Sequence, residues 1–327
     1  MPPRTCRAPA GLAAAVVALL WLHTTARADP GAAVSMPPPA STDAAGRHVD
    51  REALMAAVRS LSAPEYAGRR TGTPGGLAAR RFIVRMFEGA GLSPAFATGF
   101  VQPFHRGSKV RGAANVAGLV RGTGPGTRAI VVSAHYDHLG VRDGVVHPGA
   151  DDNASGVAVL LAAAKHFASK PPRHPMIFVA FDAEELALAG AKAFLQAPPV
   201  PVERMAIDVN LDMVARSDRR EIVAAGAYHT PWLLPVLEQV QRRAAVRIVP
   251  GRDRPGGRRG SRDDWTLLSD HGVFHRAGVP FLYFGVEDHG DYHGPGDTAD
   301  KIDPVFFGDV ADMVIEALIV LDRDLPR

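Results

Sequence analysis

From residue 110 onward, short apolar runs alternate with stretches of helical periodicity, and that alternation leaves the chain few architectures. NVAGLV (115–120), AIVVSA (129–134), MIFVAF (176–181), MAIDVNLDMV (205–214) and VPFLYFG (279–285) read as strands, rich in β-branched and aromatic residues. VAVLLAAAKHFA (157–168), ELALAGAKAFLQ (185–196) and WLLPVLEQVQRRA (232–244) read as helices, and 304–322 as a final amphipathic one. Two earlier helices are predicted over 49–62 and 77–92, the second ending near Gly89 or Gly91. Strands alternating with helices predict an α/β fold, with three layers (α/β/α) around a mixed, mainly parallel sheet. Ligands of such folds bind at the carboxyl ends of the strands. The residues found there are the candidates for chemistry.

The amino-terminal segment stands apart. Arg4 and Arg7 precede an apolar run, GLAAAVVALLWL (11–22), and Ala26-Arg27-Ala28 has the small-residue pattern of a cleavage site. Residues 1–28 therefore read as a secretory signal peptide, and the run is too short to span a bilayer comfortably. Residues 29–47, rich in Pro, Ala and small polar residues, read as a disordered leader. A single domain is expected over 48–327, with no membrane association after cleavage and export to the periplasm or beyond. Arg4, Arg7 and Arg27 lie in the signal, so 34 of the 37 Lys and Arg remain against 34 Asp and Glu. That balance offers no argument for nucleic-acid binding. The only cysteine, Cys6, is in the same segment, so any metal must be held by His, Asp and Glu.

Those residues cluster where the fold predicts. AIVVSA runs into HYDHLG, MIFVAF into DAEE and MAIDVNL into DMV, while VPFLYFG precedes EDHGDYH and GADDNASG (149–156) opens a helix. Histidine with carboxylates and no thiolate suits zinc or manganese, and the inventory exceeds one ion. It fits two metals bridged by a carboxylate. His135 and Asp137, two apart at a strand end, face the same side, with Asp137 placed to orient the imidazole. By the same alternation His138 points elsewhere, as a loop or core residue. Glu184 and Glu185 diverge, so one can bind metal while the other acts on bound water.

HYDHLG, GADDNASG, FDAEE, NLDM and YHGPGDT, in that order, resemble the co-catalytic zinc aminopeptidases of the secreted bacterial leucyl-aminopeptidase type, peptidase family M28. The likeness runs from about Leu61, through YAGRRTGTPGG and the QPF at 102–104, to DKID at 300–303. It implies two zinc ions per chain. His135 and Asp212 would bind one, Glu185 and His293 the other, and Asp152 would bridge them. Asp137 would orient His135, and Asp151, Asn153 and Ser155 would shape the turn and cap the helix. Glu184 would be the general base of a metalloaminopeptidase that removes residues from peptides with a free N-terminus. The rival readings are a carboxypeptidase or dipeptidase of the same superfamily, a glutaminyl cyclase, and a non-catalytic homologue; the oligomeric state is not legible.

The sequence departs from the family pattern at Ala187 and Ala215, where the family often has Gly, and at Ala191, where Ser is common; altered packing near the pocket is the expected result. Only HRGSKVRGAA (105–114) separates two segments that flank an inserted protease-associated domain in many relatives, so no such insertion is expected. The run RDRPGGRRGSRDD (252–264) precedes SDHGVF, which resembles a pocket-flanking segment of the family. The run reads first as a solvated, flexible loop; lying beside the pocket, its arginines would instead hold a substrate carboxylate. Replacing Arg258 and Arg259 by Ala is expected to lower kcat/KM for acidic or very short peptides relative to neutral longer ones; equal relative rates would remove that role.

Overall fold

The structure, a computed structural model, describes residues 36–39, 47–106, 110–126, 128–254 and 264–326. The signal segment, most of the leader, and 255–263 of the arginine run lie outside them. Within the compact unit Met36–Arg327, helix ends follow capping chemistry. The Asp50 carboxylate accepts from the N–H groups of Glu52 and Ala53 to open α1 (Arg51–Leu61). Thr73 caps α2 (Pro74–Ala90), whose first residue is the proline and whose last turn closes on left-handed Gly91.

Along the chain follow β1 (Ser93–Pro94), β2 (Val101–Arg106), β3 (Val110–Val120), β4 (Ala129–His135), the hairpin β5 (Gly140–Arg142) and β6 (Val145–His147), α3 (Gly156–Ser169) and β7 (Met176–Phe181). Then come α4 (Ala189–Gln196), β8 (Met205–Leu211), β9 (Glu221–Ala225), α5 (Leu233–Gln241), β10 (Arg247–Pro250), α6 (His271–Arg276), β11 (Phe281–Gly285) and α7 (Pro304–Asp324). Among the described residues the main sheet has the order β1-β3-β7-β4-β8-β11-β9-β10, with β2 also on β3. Its centre, β7-β4-β8-β11, is parallel, and the antiparallel neighbours β3 and β9 flank it.

Every residue of these four central strands is buried. That is the burial expected of parallel strands covered on both faces. Alternate residues serve opposite layers: Ile130, Val132 and Ala134 pack in a core shared with α1, α3 and α7, whereas Val131, Ile177 and Val179 meet Phe194 of α4 and Phe274 of α6. The expected three-layer architecture is present. The structure adds β2, β5, β6, β9, β10 and α6, all short segments whose apolar patterning is too brief to read. It also starts α4 at Ala189, because Ala187 and Leu188 have φ of 63° and 57°, outside helical space. Ala187, where a Gly is common in relatives, is therefore a matter of backbone conformation as well as packing.

The entry to α3 is tied to the end of β8 by close approach. A Cβ on Gly156 would lie 2.3 Å from Asn153 Oδ1 and 2.5 Å from the Leu211 carbonyl. Gly156→Ala is expected to destabilise the protein by about 1–3 kcal/mol, the range for overpacking, measured as a lower urea midpoint with unchanged m.

Candidate metal centre

Five segments deliver polar side chains to one edge of the parallel strands. His135 is the last residue of β4, Asp212 directly follows β8, and Glu184 and Glu185 lie in the loop after β7. Asp152 comes from the turn that opens α3, and His293 from the loop beyond β11. His293 has a φ of 57°, and its ring faces Asp152 and Glu185.

The two oxygens of Asp152 face two different groups. Oδ1 lies 3.3 Å from His135 Nε2, which is itself 3.3 Å from Asp212 Oδ1. Oδ2 lies 3.1 Å from His293 Nε2 and 3.6 Å from His138 Nδ1. Glu185 Oε1 completes that side, 3.0 Å from His138 Nδ1 and 3.6 Å from His293 Nε2. The ligand atoms of His135, Asp152 and Asp212 lie within 4.8 Å of one another, and so do those of His138, Asp152 and Glu185.

These residues fit a pair of metal ions. Donors around a tetrahedral zinc with bonds of about 2.0–2.1 Å are spaced about 3.3 Å apart, close to the separations here. His138 Nδ1 and Glu185 Oε1 are buried with no hydrogen-bond partner among the described residues, which a cation between them would relieve.

The structure thus brings His135, Asp152, Glu185, Asp212 and His293 together. It corrects one expectation: His138 does not point away. Strand alternation ends with β4 at His135, so the period-two rule no longer governs residue 138, and its ring swings into the cluster. Asp137, also beyond the strand, orients the centre in a more specific way. His135 Nδ1 is 3.1 Å from the Asp137 backbone carbonyl and 3.8 Å from its carboxylate. That carboxylate accepts hydrogen bonds from the Glu184 N–H and the Thr71 hydroxyl. Asp137 therefore positions the loop carrying Glu184 as well as the histidine.

Sequence reasoning also passed over Arg69. Its guanidinium is fully buried beneath the centre and donates to the carbonyls of Tyr136, Leu61, Pro148, Gly149 and Asp152. Burial pulls its pKa down to about 10, against the nearby charges of Asp152, Asp297 and Asp137. The only signal was its place in YAGRRTG. Asp270, in SDHGVF, is buried with both carboxylate oxygens unpartnered among the described residues.

The turn behaves as a clasp. Asp151 Oδ1 accepts from the Ala215 N–H, Asn153 Oδ1 from Gly156 and Met213, and the Ser155 hydroxyl from Val214. Three side chains of the turn thus hold the segment carrying Asp212.

Charge at the centre is set by crowding. Burial opposes ionisation of Asp152, but His138, His135 and His293 hold its carboxyl well below the usual range. Burial opposes charge on His135, yet Asp212, Asp137 and Asp152 raise it well above an ordinary histidine. Burial, with Asp270, Asp212 and Asp137 nearby, pushes Glu184 well above an ordinary glutamate, against the pull of His135. The carboxylates favour positive charge here, the demand a divalent cation would meet.

Residues 115–318 match peptidase family M28. The chain is 29% identical over 201 residues to aminopeptidase YwaD of Bacillus subtilis, a stretch covering 58% of this chain and 40% of that relative's length. Among solved structures, BSAP, a zinc aminopeptidase from Bacillus subtilis, superposes with a TM-score of 0.64 at 17% identity, over 84% of this chain and 95% of the other. A glutaminyl cyclase from Porphyromonas gingivalis superposes with a TM-score of 0.65 at 19% identity, over 84% and 99%.

Behind the centre, burial raises the Asp208 carboxyl to about 8, although Ser133 donates a hydrogen bond to it. An acid with a raised folded pKa contributes stability that is complete below its unfolded pKa and lost as pH rises towards 8. Asp208→Asn is therefore expected to gain stability relative to the parent as pH goes from 4 to 8, read from urea midpoints; a constant difference would contradict this.

Proposed function

The chain belongs to peptidase family M28, and on that premise we propose that it is an exported, zinc-dependent aminopeptidase. The observation that carries the reading is the placement of Asp152, with one oxygen toward His135 and Asp212 and the other toward Glu185 and His293. A carboxylate so placed suits a bridge between two metal ions. His135, Asp152 and Asp212 would hold one ion, and Asp152, Glu185 and His293 the other. Two zinc ions bound there supply Lewis acidity and lower the pKa of water.

Glu184 is the proposed general base. Its N–H is held by Asp137, and burial favours its uptake of a proton. It removes a proton from the attacking water and returns it to the nitrogen of the leaving amine, so one water is added across each peptide bond. Asp137 and Thr71 position Glu184 and His135 without reacting. The carboxylates of the centre would also favour the free amine of a peptide's first residue. This supports release of one residue at a time from the N-terminus. Export rests on residues 1–28, and the described helices include none long and apolar enough to cross a membrane. A single catalytic domain over 48–327 without an inserted domain is part of the same proposal.

The test is to incubate zinc-loaded protein with matched free and N-acetylated peptides and to identify products by mass. Stepwise loss of residues from the free peptides alone is expected, and Glu184→Gln should lower the rate by about 10²–10⁴-fold with zinc content unchanged. Cleavage from the carboxyl end would point to a carboxypeptidase. Conversion of N-terminal glutamine to pyroglutamate would point to a cyclase, an outcome the shared fold leaves open.

A further inference from the structure

His138 was assigned no role by its sequence and is not needed by the function proposed above. Its side chain is fully buried. Neither ring nitrogen has a hydrogen-bond partner among the described residues. A buried imidazole left unpaired at both nitrogens is unfavourable, because it lost its water and regained nothing. Something must satisfy Nδ1.

The obvious partner is Glu185, whose Oε1 lies 3.0 Å away. A simple orienting role would make this a hydrogen bond, with the N–H aimed at the oxygen. The contact lacks that geometry, and Glu185 Oε1 is itself unpartnered. Asp152 Oδ2, 3.6 Å from Nδ1, stands in the same relation. Three donor atoms lie close together, and His138 Nδ1 bonds to neither oxygen; that is how ligands of one ion are arranged before the ion is placed. His293 reaches the same two oxygens, at 3.1 and 3.6 Å, from the partly exposed side. The two imidazoles meet edge to face, with ring centroids 5.9 Å apart.

We infer that His138 is itself a metal ligand, so that the position at Glu185 has four protein donors (His138, Asp152, Glu185 and His293) and the position at His135 has three. This rests on the metal centre proposed above and changes its character. Four protein ligands close a zinc site, whereas three leave a position for water or substrate. The two positions are then unequal. The closed one fills first and holds its ion more tightly, and the open one, beside Glu184, is the exchangeable position where chemistry occurs. His293, exposed at the rim, is the ligand a substrate can displace, while His138 anchors the ion from inside.

The test needs a readout that only direct ligation produces. The full-length chain carrying Cys6→Ser, so that no other thiol is present, is combined with His138→Cys and loaded with Co²⁺. Nδ1 is the ring nitrogen nearer the backbone, so a cysteine sulfur occupies similar space, and its thiolate is a strong ligand. A thiolate-to-cobalt charge-transfer band in the near ultraviolet, absent from His138→Ala, is expected. Cobalt bound to the Cys variant at the parent's stoichiometry without that band would overturn the inference and leave the metal centre standing. A parent protein that binds no cobalt would instead sink the metal centre, and His138 with it. Should the Cys variant not fold, the cobalt-loaded parent decides by NMR. Three hyperfine-shifted, exchangeable imidazole N–H signals are expected, and only two would overturn the assignment. Titration calorimetry gives a third reading: His138→Gln should weaken the tighter of two cobalt-binding phases by more than about 100-fold, beyond the usual loss for a group that only orients a ligand.

Discussion

Carboxylates crowd the carboxyl edge of the central strands, and the rest of the site is arranged around that fact. Asp137, Asp152, Glu184, Glu185, Asp212 and Asp270 converge there, with Asp137, Asp152 and Asp270 almost wholly buried. Like charges removed from water repel strongly and lack solvation. The chain answers in three ways. Histidines 135, 138 and 293 stand between the acids. Arg69 lies beneath them as a permanent cation, with five backbone carbonyls fixing its guanidinium. The remaining imbalance is of the kind a pair of divalent cations removes. Metal affinity in this fold is thus the reverse side of an otherwise unfavourable charge cluster.

Rigidity comes from side chains outside the candidate ligand set, most of them bonded to backbone N–H groups. The clasp formed by Asp151, Asn153 and Ser155 ties the opening of α3 to the segment after β8, so Asp152 and Asp212 hold their spacing through hydrogen bonds that do not involve their own carboxylates. Asp297, fully buried, accepts the N–H groups of both Asp151 and Asp152, which links the turn to the loop bearing His293. Asp182 does the same on the far side, accepting from Thr71, Tyr136 and the Ala114 N–H. Its carboxyl is raised to about 6, chiefly by burial and the charge of Asp137. The two outer acids of DD and DAEE serve the frame, and their neighbours serve the centre.

How much of this was legible depended on how far each feature reaches along the chain. β4, β7, β8 and β11 were readable because apolar continuity is local and a strand buried on both faces announces itself. The β5–β6 hairpin and α6 were not, since three to six residues carry too little pattern. His135, Asp152, Glu185, Asp212 and His293 could be gathered because each borders a readable element in a motif of known order. His138 was misplaced by extending strand alternation past the last strand residue. Arg69 was missed because its partners are carbonyls of residues 61, 136, 148, 149 and 152, and no residue type signals a carbonyl.

The sequence by itself determined the fold class, the edge of the sheet where the candidate site lies and the histidine and carboxylate types gathered there. These follow from local patterning and composition, which need no coordinates. Only the tertiary structure decided that the Asp152 oxygens face opposite groups, that the ring of His138 turns inward, and that Asp137 holds the Glu184 loop. Those facts depend on side-chain direction where regular structure ends. There the chain's path is set by contacts between residues tens to hundreds of positions apart, and periodicity carries no information about it.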